Sequence, residues 1–197
     1  MGSPQVVGLM GPAGAGKDTV CQMIRDEYSN QGLEPPVRVA FADKIKQFAY
    51  AVDPMVRVDR VEGVDQFVRV SELVDAIGWE RAKNENADVR RLLQRLGTEG
   101  GRRTLNEHVW VDAVYGDIVD YMDSGKSVII TDVRFPNEIQ FLNEWGGELW
   151  KIERASAETG NSHESEAAWR MAVPNVIIVN DGPLEELEVA VHATLWT

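Results

Sequence analysis

Short, nearly uninterrupted apolar runs alternate along this chain with longer stretches in which apolar positions return every three or four residues. Gln5–Met10, Val37–Phe41, Ser127–Val133, Glu148–Glu153 and Val176–Val179 are the apolar runs, and each predicts a buried strand. Lys17–Tyr28 carries Val20, Met23 and Ile24 at helical spacing, and Ala42–Ala51 reads the same way. Ser71 predicts the N-cap of a helix running to about Ile77. Asp88–Leu96 predicts a helix stopped by Gly97, and Asn106–Tyr121 a long amphipathic one stopped near Ser124-Gly125. Pro136 suits the first turn of a helix reaching about Trp145, and Leu184–Leu195 predicts a closing helix. Asp53–Val70 mixes valines and charges without a clean period and is expected to be an excursion or an irregular segment. Apolar strands alternating with helices predict a parallel sheet covered on both faces, in one domain without internal repeats.

Composition narrows the functional classes. With 197 residues, 44% hydrophobic and 26% charged, the chain suits a single globular α/β domain. No apolar run approaches a bilayer span, and Met1–Gln5 carries no basic region, so neither a membrane anchor nor a signal peptide is expected. The lone Cys21 can form neither an internal disulfide nor a zinc site, which fits a reducing cytoplasm. A net charge of −12 argues against gripping duplex DNA and requires any anionic ligand to meet cations focused in one cleft.

One stretch supplies such a focus. Gly11-Pro12-Ala13-Gly14-Ala15-Gly16-Lys17-Asp18-Thr19 has P-loop spacing, directly after a predicted strand and directly before a helix. Glycines there let backbone N–H groups surround a β-phosphate, the helix N-terminus adds a favourable field, and Lys17 can bridge β- and γ-phosphates. Asp18 stands where most P-loops carry a magnesium-binding Ser or Thr, and Thr19 follows one place later. Nucleoside monophosphate kinases resemble this variant, and by that resemblance Thr19 contacts an ATP phosphate.

A carboxylate is expected near the metal at the end of a neighbouring strand, and Val128-Ile129-Ile130-Thr131-Asp132 supplies Asp132. Arg134 follows at the same sheet edge. Arg102 lies after the flexible Gly97–Gly101 stretch, and Arg154 opens a polar segment readable as a short lid over about 154–166. Each arginine has a solvated surface role as its alternative. Asp43 is equally readable as a helix cap and Gln94 as an exposed helix residue. Phe41, Ile45, Trp110 and Trp145 are read as core.

These segments together resemble the deoxynucleoside monophosphate kinases of bacteriophages. The resemblance rests on GPAGAGKDT (11–19), FADKIK (41–46), LLQRLGTEGGR (92–102) with WVDA (110–113), TDVRFPNE (131–138), and more weakly on Arg154 with His163-Glu164-Ser165-Glu166. It implies a P-loop three-layer α/β fold of the nucleoside-monophosphate-kinase kind, with an acceptor-binding segment at about 42–105. It also implies transfer of the ATP γ-phosphoryl group to a deoxynucleoside monophosphate with Mg²⁺. Gly11 and Ala13–Thr19 would then hold ATP, with Asp132 and Asp18 toward the metal. Asp43, Lys46, Gln94, Thr98, Arg102 and Arg134 would hold the acceptor, and Lys17, Arg134, Arg102 and Arg154 would act on the transferring group. Lys44 stands in FADKIK where that family pattern leads one to expect proline. The expected partners are the two nucleotides, with a second copy of the chain as a further candidate and neither duplex nucleic acid nor membrane. Two alternatives stay open: a P-loop kinase for another small acceptor such as dephospho-coenzyme A or a sugar acid, and a nucleotide-dependent switch.

Overall fold

The computed structural model describes residues 5–157 and 172–196. The chain divides into two compact units, one of Met1–Phe41 with Val114–Thr197 and one of Ala42–Ala113.

In the first unit, β1 (Val6–Met10), β2 (Val37–Val39), β5 (Val128–Ile130), β6 (Glu148–Glu153) and β7 (Val176–Val179) form an entirely parallel sheet in the order β2-β5-β1-β6-β7. Parallel strands need helical crossovers, and those helices bury both faces of β1 and β5, which is why these two read as continuous apolar runs, while Ile177 and Val179 of the edge strand β7 stay exposed. Alternation along β1 assigns the faces. Leu9 packs with Val20, Cys21 and Ile24 of α1 (Lys17–Asn30) and with Leu187 and Val191 of α7 (Leu184–Trp196). Gly8 points the opposite way, and a Cβ there would lie 2.7 Å from Leu142 of α6 (Pro136–Glu144) and 2.9 Å from Val133. The missing side chain thus lets α6 approach the strand. The result is the expected three-layer arrangement, and the helix predicted from Pro136 starts there.

The second unit holds most of α2 (Phe41–Val52), β3 (Met55–Val61), β4 (Val64–Arg69), α3 (Val70–Glu85), α4 (Ala87–Arg95), a π-helix over Leu96–Arg103 and the start of α5 (Val109–Asp123). The Asp53–Val70 segment is not irregular. It is an antiparallel hairpin turning at Glu62-Gly63, both at positive φ (50° and 84°), the geometry of a tight two-residue hairpin turn. Val56 and Val68 pair on the face that joins Val70, Ala82 and Val89 in a small core.

Several boundaries also differ from expectation, among them α3, which runs to Glu85 rather than Ile77, and α5, which starts at Val109 rather than Asn106. Ser71 is not an N-cap: α3 starts at Val70, where Glu72 accepts the Arg69 N–H (3.3 Å) and Asp53 accepts the Ser71 N–H (2.9 Å). Gly97 does not end a helix, because α4 continues directly into the π-helix. The run predicted over Val37–Phe41 is shorter as a strand, since α2 already begins at Phe41.

Candidate nucleotide-binding site

The parallel topology brings the C-terminal ends of β1, β5, β6 and β7 to one edge of the first unit, and the loops leaving them carry its polar residues. After β1 the chain turns through Gly11 (φ 146°), Gly14 (φ 78°) and Gly16 (φ 100°), conformations that side chains disfavour. Gly11 is also required by space, since a Cβ there would strike the Ile152 carbonyl of β6. Pro12 O accepts the Ala15 N–H (3.2 Å) and Gly16 O the Val20 N–H (2.9 Å), so the turn runs straight into α1. Ala15 is fully buried beneath the loop, whereas Ala13 and Gly14 are exposed. Lys17, the first residue of α1, curls back over this turn, its ammonium donating to Gly11 O (2.9 Å) and Pro12 O (2.8 Å). Amides of a first helical turn lack intrahelical partners and face an anion favourably. A loop of this shape with a lysine folded over it can grip a polyphosphate.

The neighbouring strand ends complete the edge. Asp132, half-buried after β5, accepts the Phe41 N–H (2.9 Å) at the start of α2. Arg134 is half-buried beside it, and its turn is held by Glu138, whose carboxylate accepts the N–H groups of Arg134 (2.6 Å) and Phe135 (3.0 Å). Asp18 and Thr19 lie on the first turn of α1, Asp18 in an ion pair with Arg38 at 3.6 Å. Arg154 is exposed after β6, where Asp181 accepts the N–H of Ala155 (2.6 Å). The proposed lid from 158 onward, with His163, lies outside the described residues.

The remaining predicted residues belong to the second unit. Asp43 and Lys46 sit one turn apart on α2 as an ion pair at 3.6 Å, and Lys46 also pairs with Glu80 of α3 at 3.2 Å. Gln94 is exposed on α4, Thr98 is buried in the π-helix, and Arg102 donates to Glu107 O (3.0 Å). The π-helix is packed around Trp110, whose indole donates to Gly97 O (2.8 Å) and lies where a Cβ on Gly101 would be. Segments of π-helix are rare and concentrate at functional sites. Phe41 and Trp110 are buried, as expected for core residues, and Ile45 and Trp145 are half-buried.

Sequence reasoning misses Asn180. It is buried directly after β7, its backbone N–H donating to Glu153 O (2.7 Å) and its side-chain amide to Ala15 O (2.8 Å) in the glycine-rich turn. The pattern that singles out Asp132, a polar residue closing an apolar strand, is present there too.

Among the described residues no three His, Cys, Asp or Glu side chains group together as metal ligands. Mg²⁺ is ordinarily held by one or two carboxylates, substrate phosphates and water, so Asp132, with Asp18 on the first turn of α1, fits it. Cys21 is no candidate nucleophile, because burial in the sheet–helix core pushes its thiol up to about 11. No helix among the described residues is long and apolar enough to cross a membrane.

A family model, deoxynucleotide monophosphate kinase, matches residues 53–191, more than two thirds of the chain. The deoxynucleotide monophosphate kinase of Escherichia phage RB69 is 30% identical over 105 residues, 53% of this chain and 43% of that protein. That of Enterobacteria phage T4 is 28% identical over 130 residues, 66% of this chain and 53% of that protein. The deoxynucleoside-5'-monophosphate kinase of Escherichia phage T5 is 29% identical over 183 residues, 71% of this chain and 72% of that protein. The match thus spans about half the length of the RB69 and T4 proteins.

Proposed function

Since the chain belongs to the deoxynucleotide monophosphate kinase family, we propose that it transfers the γ-phosphoryl group of ATP to a deoxynucleoside monophosphate, giving ADP and the deoxynucleoside diphosphate. The observation that carries this reading is the glycine-rich turn between β1 and α1 with Lys17 folded over it, in a chain whose residues 53–191 match the model of this family. The chain acts as one P-loop kinase domain, with the segment at about 42–105 serving the acceptor and the short segment at about 154–166 serving as lid.

Gly11 and Ala13–Thr19 bind the donor phosphates through backbone N–H groups, and Lys17 leaves its two carbonyl partners for the β- and γ-phosphate oxygens. Arg134 and Arg154 at the sheet edge, with Arg102, offset the charge spread over the transferring group. Asp43, Lys46, Gln94 and Thr98 orient the acceptor nucleotide. Mg²⁺, when bound, neutralises charge on the bridging phosphates, and Asp132 would hold it, with Asp18 the other carboxylate beside the loop. The acceptor needs no general base, because a phosphate monoester is largely dianionic near neutral pH and its oxygen is nucleophilic as it stands. Closing the site against water protects ATP from hydrolysis.

The test is coupled ADP production with ATP–Mg²⁺ and each of the four deoxynucleoside monophosphates, with AMP and dephospho-coenzyme A as controls. Stimulation by a deoxynucleoside monophosphate is expected. Stimulation by dephospho-coenzyme A alone would replace the acceptor, and slow acceptor-independent hydrolysis would point to a switch. Lys17→Ala should lower turnover by orders of magnitude with the fold intact, and retained turnover would remove the loop from the mechanism.

A further inference from the structure

We infer that Asn180 is a positioning residue for the phosphate loop: its buried side-chain amide fixes the Ala15–Gly16 peptide so that the Gly16 N–H faces the bound phosphate. Three observations carry this. Asn180 is 8% exposed and its Nδ2 donates to Ala15 O at 2.8 Å, a buried hydrogen bond between the β7 end and the turn. The same nitrogen would lie 2.5 Å from a Cβ on Gly16, so the amide rests directly against that residue. Its own backbone is fixed, because the Asn180 N–H donates to Glu153 O (2.7 Å) at the end of β6.

The consequence follows from peptide geometry. In a trans peptide the C=O and N–H point in opposite directions. Drawing the Ala15 carbonyl down to Asn180 therefore turns the Gly16 N–H away from the protein interior, toward the concave side of the turn. Gly16 holds φ 100°, a region open to glycine, whose freedom leaves the orientation of this peptide to be set by its partners. Without the amide, the Ala15 carbonyl would be a buried acceptor lacking this partner, and the peptide could rotate to find another. Donor hydrogen bonds aimed in advance at phosphate charge cost no reorganisation on binding, and their misalignment is felt in affinity.

The inference rests on the reading of this turn as an ATP cradle, and the experiment separates the two. ADP affinity is measured by calorimetry for the wild type, Asn180→Asp and Asn180→Ala between pH 8 and pH 5.5, each variant's Kd divided by the wild-type value at the same pH. A wild type that fails to bind ADP would sink the cradle reading itself. Given wild-type binding, Asn180→Asp keeps the size of the side chain but at pH 8 presents a carboxylate that cannot donate to Ala15 O. Its Kd ratio should be on the order of ten- to a hundredfold. A carboxyl buried against a carbonyl oxygen has a raised pKa, so acidification restores an O–H donor and the ratio should fall back toward unity. Asn180→Ala should be weakened at every pH without rescue. A ratio near unity at pH 8 for Asn180→Asp, or a loss that acidification leaves unchanged, would overturn the inference. Should Asn180→Asp not fold at pH 8, an unaltered Kd in Asn180→Ala would overturn it equally.

Discussion

The Asp-Val-Arg-Phe-Pro-Asn-Glu stretch allows a quantitative test of what its last residue does. Glu138 is 2% exposed, an unusual position for a carboxylate, yet it lies in the first turn of α6, where a negative charge is favoured. Its Oε2 accepts two backbone N–H groups, Arg134 at 2.6 Å and Phe135 at 3.0 Å, both partly buried. Glu138→Ala leaves these donors without that acceptor, a loss of about 1–3 kcal/mol for each. Release of a carboxylate from a buried position offsets part of this. The net destabilisation should be about 2–3 kcal/mol, a large part of the roughly 5–15 kcal/mol that holds a domain folded. In urea, with a slope of about 2 kcal/mol per molar, the midpoint should fall by roughly 1–1.5 M with the slope unchanged. Glu138→Gln, which retains one acceptor oxygen, should lose about half as much. A midpoint within about 0.3 M of wild type for Glu138→Ala would refute the assignment of Glu138 as the residue that holds the Arg134 turn.

Gly101→Ala places a methyl group 2.6–2.8 Å from the Trp110 indole, so the π-helix or the ring must move. A loss of about 1–3 kcal/mol is expected in denaturant titration, and wild-type stability would show that the packing yields freely. Asp53 is held below the ordinary carboxylate range, first by the Ser71 backbone N–H and further by Arg69, despite the desolvation that opposes it. A depressed folded-state pKa stabilises above the unfolded value of about 3.9, and that contribution disappears as pH falls through the folded value. Asp53→Asn should therefore lower stability at pH 7, and the two curves should converge as pH falls below the unfolded value; parallel curves would contradict this. Cys21, with its thiol pushed up to about 11 by burial, should resist a thiol reagent at pH 8 in the native protein and react on unfolding; prompt native-state reaction would contradict its place in the core.

The central strands are legible because they are buried on both faces: Val6–Met10 and Val128–Ile130 are apolar for a reason that does not depend on register. Glu148–Glu153 and the edge strand Val176–Val179, where Ile177 and Val179 stay exposed, have the limits the sequence predicts. The hairpin is not legible because β3 breaks its own alternation. The register shifts between Arg57 and Asp59, so the valines on either side of the irregularity belong to different phases of a period of two. Its turn is the stronger sign: Val61-Glu62-Gly63-Val64 places a glycine at one of two positive-φ positions between β-branched residues. The π-helix leaves no comparable sign. Gly97 resembles a stop residue, but in the structure it is small because Ile45 lies 3.1 Å from where its Cβ would be and because Trp110 bonds its carbonyl. Those partners are far away in sequence, and spacing rules reach only a turn or two.

The same distinction separates the two halves of the candidate site. Residues that act through a strand end are predictable together, because a parallel sheet carries every strand's C-terminus to one edge whatever the sequence between them. Gly11–Thr19, Asp132, Arg134 and Arg154 are found in that way, and Asn180 obeys the same rule. What sequence cannot supply is the division of labour at that edge. Asp132 binds the amide of Phe41, Glu138 binds the turn that carries Arg134, and Asn180 binds the turn that carries Lys17. Asp132 and Asn180 hold backbone from another part of the loop cluster, a contact that no local pattern encodes, whereas Glu138 holds its own turn through a local capping-box contact. A phosphate site built from backbone N–H groups has to be reinforced in this manner, because the groups that touch the ligand have no rotamers of their own to select. Specificity of shape must then come from the side chains behind the loop. The residues next most sensitive to substitution after Lys17 should accordingly be these supports behind the loop, rather than Asp18 and Thr19 on the first turn of α1.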